Sequence, residues 1–169
     1  ARLAPASGEP PLIVLLTSGR FNETYFEHVY LARHLGVPLV EGYDLTVRDS
    51  IAYLKTLNGL KRVHAILRRL DDDYCDPLEL RSDSALGVAG LLDAVRSGNV
   101  LVANALGPGV MESSALIGLL PKICRHLRGE ELKLPSIATW WCGEAAIFDK
   151  TLANLANFVV KPTFPSQRF

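Results

Sequence analysis

Neither acidic nor basic residues are in excess in this chain: 18 Lys and Arg stand against 18 Asp and Glu in 169 residues, a formal net charge of zero. That balance removes the electrostatic footprint of a nucleic-acid or membrane-surface binder, so neither partner is expected. Cysteine is scarce as well. Cys75, Cys124 and Cys142 lie far apart without a C-x-x-C pair, which argues against a disulfide framework, a thioredoxin-like motif or a zinc ribbon and makes a reduced, cytoplasmic setting the expectation. No apolar run reaches the roughly 18 residues of a membrane span, and residues 1–10 lack the charged-then-apolar order of a signal peptide. The phosphate-binding patterns G-x-G-x-x-G and G-x-x-x-x-G-K-[ST], the G-x-S-x-G elbow and H-E-x-x-H are all missing. No catalytic residue and no metal ligand is therefore assigned, and a self-contained hydrolase is not expected.

What the chain does have is apolar residues, 49% of the total, too many for disorder and enough for the core of one domain of about 100 to 200 residues. Short β-branched runs alternate with stretches of helical period, the pattern of parallel strands joined by crossover helices. Strands are expected at 12–17, 38–41, 63–67, 100–103 and 158–161. Asn58-Gly59 signals a turn between Ile51–Thr56 and Arg62–Leu67 and so predicts a hairpin. Helices are expected after Asn22-Glu23-Thr24, with Phe26, Val29, Tyr30 and Leu35 as its apolar face, over Ser84–Arg96, from Glu112-Ser113 with a kink at Pro121, and over Ala145–Leu155. The fold class is thus α/β: a Rossmann-like, mostly parallel sheet flanked by helices, with a β-hairpin. The Pro/Ala/Gly/Ser character of residues 1–10 reads as a linker, and a start without Met suggests a segment of a larger protein.

In an open parallel sheet, ligands bind beyond the carboxyl ends of the strands, where loops converge and helix N-termini present free N–H groups. That rule selects Thr17, Ser18, Gly19, Arg20 and Asn22 after the first strand and Glu41 and Asp44 after the second. It also selects Arg68, Arg69 and Asp71 to Asp73 after the hairpin, then Asn104, Gly107 and Gly109. The Thr17-Ser18-Gly19 turn suits an anion or is merely a polar turn. Gly107-Pro108-Gly109 permits close approach of a ligand or is a tight loop. Arg68-Arg69-Leu70-Asp71-Asp72-Asp73 offers a guanidinium fork to a carboxylate or phosphate, or is a solvated charged loop. The four histidines read as surface or packing residues. Lys161, at the end of Phe158–Lys161, can reach phosphate oxygens or simply snorkel at an edge.

The stretches T-S-G-R-F-N-E-T-Y-F-E-H (Thr17 to His28), L-V-E-G-Y-D-L, L-R-R-L-D-D-D-Y-C-D-P-L-E-L-R (Leu67 to Arg81), G-N-V-L-V-A-N-A-L-G-P-G-V, A-T-W-W-C-G and F-V-V-K-P resemble those of the circularly permuted ATP-grasp type 2 proteins. These are bacterial relatives of glutathionylspermidine-synthase-like carboxylate-amine ligases. The resemblance implies a pre-ATP-grasp domain over residues 11–143 and the start of the ATP-grasp region over 144–169. It implies a substrate-side part of a ligase that works through an acylphosphate, with ATP and Mg²⁺ as cofactors of the whole enzyme and none bound to this segment alone. Lys161 matches the ATP-phosphate lysine. Thr17, Ser18, Gly19, Asn22, Arg68, Arg69, Asp72, Asn104 and Gly107 become the substrate-binding candidates. Expected partners are the remainder of the ATP-grasp fold and a small carboxylate or amine, with a homodimer through Trp140-Trp141 as one assembly. The alternative is a non-catalytic module that binds a small anion or a protein. A nucleotide-independent enzyme using Asp72 or Asp73 as general base is a third reading.

Overall fold

The computed structural model describes residue 5 and residues 8–164. Two compact units divide at Gly107 and Pro108. The first contains β1 (Ile13–Thr17), α1 (Tyr25–Leu35), β2 (Leu39–Val40), β3 (Leu45–Arg48), β4 (Ile51–Thr56), β5 (Gly59–Arg62), β6 (Ala65–Arg69), α2 (Leu91–Arg96) and β7 (Leu101–Ala103). Four of its strands make a parallel sheet in the order β2-β1-β6-β7. The other three form a separate antiparallel sheet, β3-β4-β5. The architecture is therefore α/β, a parallel sheet with flanking helices and an added hairpin sheet.

The middle of β1 is apolar throughout because both faces of the strand are covered: Val14, Leu15 and Leu16 are all fully buried. Val14 and Leu16 join Val40, Ile66 and Val102 from the neighbouring strands and Leu91 and Ala94 from α2 in one core. Fully burying each large aliphatic side chain contributes about 1.5 to 3 kcal/mol.

The hairpin differs from expectation in a specific way. Its return strand stops at Arg62, and the chain then changes sheets at Val63 and His64. Val63 still donates to Ala52 O at 2.8 Å. His64 next donates its N–H to Leu12 O at 2.8 Å, and its Nδ1 accepts the Leu12 N–H at 3.0 Å. This double clasp brings the following residues alongside β1 as β6. Strand β3, which joins the hairpin at its other edge, was not among the expected elements.

Two helices also depart from the sequence reading. The covered face of α1 is His28 and Ala32, whereas Phe26 is 81% and Tyr30 66% exposed; a small residue and a hydrogen-bonded ring, not the aromatic stripe, meet the sheet. The expected helix Ser84–Arg96 shrinks to α2, because Gly90 adopts φ 81° and Gly87 lies so close to the Tyr74 and Cys75 backbone that a Cβ has no room. Ser84 does not cap it but donates to Tyr74 O at 2.7 Å. The cap comes from Asp76 instead. Its fully buried carboxylate accepts the N–H groups of Leu78 and Gly90 through Oδ1 (2.9 and 3.1 Å) and of Leu92 through Oδ2 (2.9 Å), satisfying donors that a helix start leaves unpaired.

The second unit contains α3 (Ser114–Arg128) and α4 (Ala145–Ala153). Helix α3 continues through Pro121 and ends at Gly129 in the left-handed conformation. The expected strand at 158–161 does not form: among the described residues this unit has no strand, and the Phe158 N–H turns back to Leu155 O at 3.1 Å. Most of the expected linker 1–10 lies outside the described residues. Among the described residues, no helix is long and apolar enough to cross a membrane.

Candidate functional site

Strands β1, β6 and β7 run parallel as neighbours, so the loops after Thr17, Arg69 and Ala103 emerge along one edge of the sheet. Thr17, Ser18, Gly19, Asn22, Arg68, Arg69, Asp72, Asn104 and Gly107 all belong to this edge or to the loops leaving it.

The β1–α1 turn is organised around a buried hydroxyl. Thr17, 1% exposed, accepts the Gly19 N–H at 3.1 Å and meets His28 Nδ1 at 2.8 Å. On the other side of the ring, Nε2 lies 3.3 Å from Thr24 Oγ1, and that hydroxyl donates to Asn22 Oδ1 at 2.6 Å. Because the Thr24 proton is committed to Asn22, its oxygen is left to accept, which assigns the ring proton to Nε2 and makes Thr17 the donor to Nδ1. Burial, and next the positive charge of Arg69, holds the His28 pKa below its ordinary value, so a neutral imidazole is the resident form. Ser18 is buried behind this turn. Gly19 sits against the Glu41 carboxyl: a Cβ there would lie 2.5 Å from it. Glu41 in turn donates its N–H to Asp44 at 2.9 Å, and the two carboxylates, Glu41 foremost, push the Tyr43 phenol upward.

The two arginines of β6 do different work. Arg68 pairs with Asp72 at 2.5 Å, a contact of charges in which Asp72 Oδ1 is buried without an aligned hydrogen bond. Its guanidinium also donates to Asn104 O at 3.1 Å, Leu70 O at 2.5 Å and Ala105 O at 3.4 Å. Asp72 Oδ2 accepts the Gly107 N–H at 3.0 Å. Arg68, Asp72, Asn104 and Gly107 therefore lock two loops together, and Asp72, committed twice over, is not a free general base. Arg69 lies opposite Thr17 in the β1–β6 register and is exposed. Among the described residues it has no ion pair. Cys75, beneath this loop, is no nucleophile: burial pushes its thiol up to about 11.

Lys161 belongs to the second unit, where it opens on a cleft of about 960 Å³ walled by Ile137, Trp140, Trp141, Phe158 and Val160. Sequence reasoning missed His28 and Asp76. The loop rule searches strand ends, so a helix residue that reaches back to the strand escapes it. The four-residue spacing of Thr24 and His28 on one helix face was the available signal.

The geometry defines a Rossmann-like α/β domain with a polar carboxyl edge, the class in which small ligands are held by loops. The whole chain, residues 1–169, matches the model of the circularly permuted ATP-grasp type 2 family, and the chain belongs to that family. It is 42% identical over 160 residues to an uncharacterised protein of Mycobacterium tuberculosis (strain H37Rv), covering 95% of this chain and 18% of that protein. An uncharacterised protein of Synechocystis is 42% identical over 159 residues, 94% of this chain and 33% of its own length. A second uncharacterised M. tuberculosis protein is 41% identical over 152 residues, 90% and 28% respectively. The chain thus spans a third or less of these curated relatives.

Proposed function

We propose that this chain is the substrate-side part of an ATP-grasp ligase that joins a carboxylate to an amine or thiol, and that it needs the remainder of the ATP-grasp fold to turn over. The observation that supports this best is the polar edge of the parallel sheet, in a chain whose full length matches the family model.

When bound, Mg·ATP supplies the phosphoryl group that activates a carboxylate as an acylphosphate; positioning and charge neutralisation carry most of the catalysis. The residues present suit the nucleotide. Lys161 brings one cation to a cleft walled by aromatic and apolar residues together with the hydroxyl-bearing Ser114, Ser136, Thr139, Thr151 and Thr163, a combination that fits phosphates and a base. Among the described residues, no group of three or more His, Cys, Asp or Glu gathers to hold a metal, so no described residue is proposed as an Mg²⁺ ligand.

On the substrate side, Arg69 offers an uncommitted guanidinium, while Thr17, Ser18, Gly19 and Asn22 shape the turn beside it. Arg68, Asp72, Asn104 and Gly107 hold the neighbouring loops in place. The setting proposed is the cytoplasm.

Calorimetry tests the nucleotide half of the reading. The 169-residue chain alone should bind Mg·ATP weakly or not at all. A form completed by the remainder of the fold should bind it, and Lys161→Ala should weaken that binding at least tenfold. Undiminished affinity in the variant overturns the lysine assignment.

A further inference from the structure

A second cleft, of about 470 Å³, opens on the first two turns of α1, bordered by Thr24, His28 and Leu31 on the helix and by Arg69 from the end of β6. That volume is within the range of small-molecule sites. Two formal charges border it, Arg69 and Glu27. Both side chains are exposed, and they do not pair with each other or with any other charge among the described residues. His28 adds no third charge, because its ring is neutral between the Thr17 and Thr24 hydroxyls. Phe26 and Tyr30, one helical turn apart, complete the border with apolar surface that no part of the sheet covers.

We propose that this cleft takes a small zwitterion of the amino-acid type, its carboxylate on Arg69, its ammonium on Glu27 and an apolar side group along Phe26, Tyr30 and Leu31. A phosphate or dicarboxylate meets the Arg69 fork but is repelled by Glu27, and a polyamine meets Glu27 but is repelled by Arg69. Only a ligand carrying both signs uses both groups. The inference rests on the reading of this edge as the substrate side and names the class of substrate held there.

The test is binding without nucleotide, by NMR titration of the 169-residue chain with three probes. L-Phenylalanine carries both charges, L-phenylalaninamide lacks the carboxylate, and N-acetyl-L-phenylalanine lacks the ammonium. The first should bind at least tenfold more tightly than either of the others. Arg69→Gln should erase the preference over the amide and leave the preference over the acetylated probe; Glu27→Gln should do the reverse. Unchanged shifts of Val14 and Leu16 in the core establish that both variants are folded. No binding of phenylalanine, equal binding of all three probes, or preferences that survive both substitutions overturns the assignment. Mg·ATP binding by the completed enzyme, measured separately, shows whether a failure belongs to this cleft or to the ligase reading.

Discussion

Arg68 and Arg69 are neighbours in the chain with opposite employment, and the difference is measurable. Arg68 and Asp72 are largely shielded, with side chains 11% and 22% exposed, so removing one leaves the other, together with three carbonyls or an amide, without its partner. Arg68→Ala should cost about 2 to 3 kcal/mol in urea unfolding, whereas Arg69→Ala should stay within about 0.5 kcal/mol. Equal costs would mean that the two loops are not held through Arg68. His28 sets a pH dependence. Its folded pKa lies below the ordinary 6.5, so the folded state takes up a proton less readily than the unfolded one. Its contribution is complete above the unfolded value and is lost as pH falls past 6.5 and through the folded value. Urea midpoints taken between about pH 7.5 and 5 should fall with pH, and His28→Gln should flatten the fall. His64, lowered chiefly by burial and also by Arg62, leaves a residual slope in that variant. Identical slopes in both proteins would rule out His28 as the titrating group.

At the scale of elements, Asp76 acts at a distance along the chain as the cap of α2. Asp76→Ala orphans three backbone N–H groups and should cost about 3 kcal/mol. The accompanying sign is faster amide exchange at Leu78, Gly90 and Leu92, and protection unchanged at all three would count against the cap. The parallel strands were legible because β1, β6 and β7 are short apolar runs ending in polar residues, and a strand covered on both faces needs nothing else to be recognised. The edge residues followed from the same runs, since wherever a buried strand stops, its loop must start. The face of α1 was not legible. Hydrophobicity points to Phe26 and Tyr30, but a histidine with two hydroxyl partners is as well satisfied indoors as an aliphatic residue; the helical spacing hints at Thr24, whereas no periodicity announces Thr17, eleven residues back on β1. The truncation of α2 was hidden for a related reason: Val88, Leu91, Leu92 and Val95 keep helical spacing, while the steric demand at Gly87 comes from the Tyr74 and Cys75 backbone, more than ten residues away. Likewise, the six-residue charged stretch reads as a solvated loop or a ligand fork, and only coordinates reveal that Arg68 turns inward.

At the scale of the whole molecule, the two compact units carry separate spectroscopic reporters. All five tyrosines lie within residues 1–107 and both tryptophans within 108–169. Ile66→Ala, a truncation at the centre of the first unit's core, should lower the stability reported by tyrosine by about 2 to 5 kcal/mol. Tryptophan fluorescence should keep its own midpoint. A common shift of both signals would show that the units unfold as one.

The inward turn of Arg68 also limits how such an edge can diversify. A lineage changing what sits there is free to alter position 69 in a single mutational step. Position 68 is not free in that way, since any replacement must arrive together with compensation at Asp72 and in the 104–107 loop. Ligand choice and foldability are thus written in adjacent codons, one open to drift and the other tied to a distant stretch of the gene.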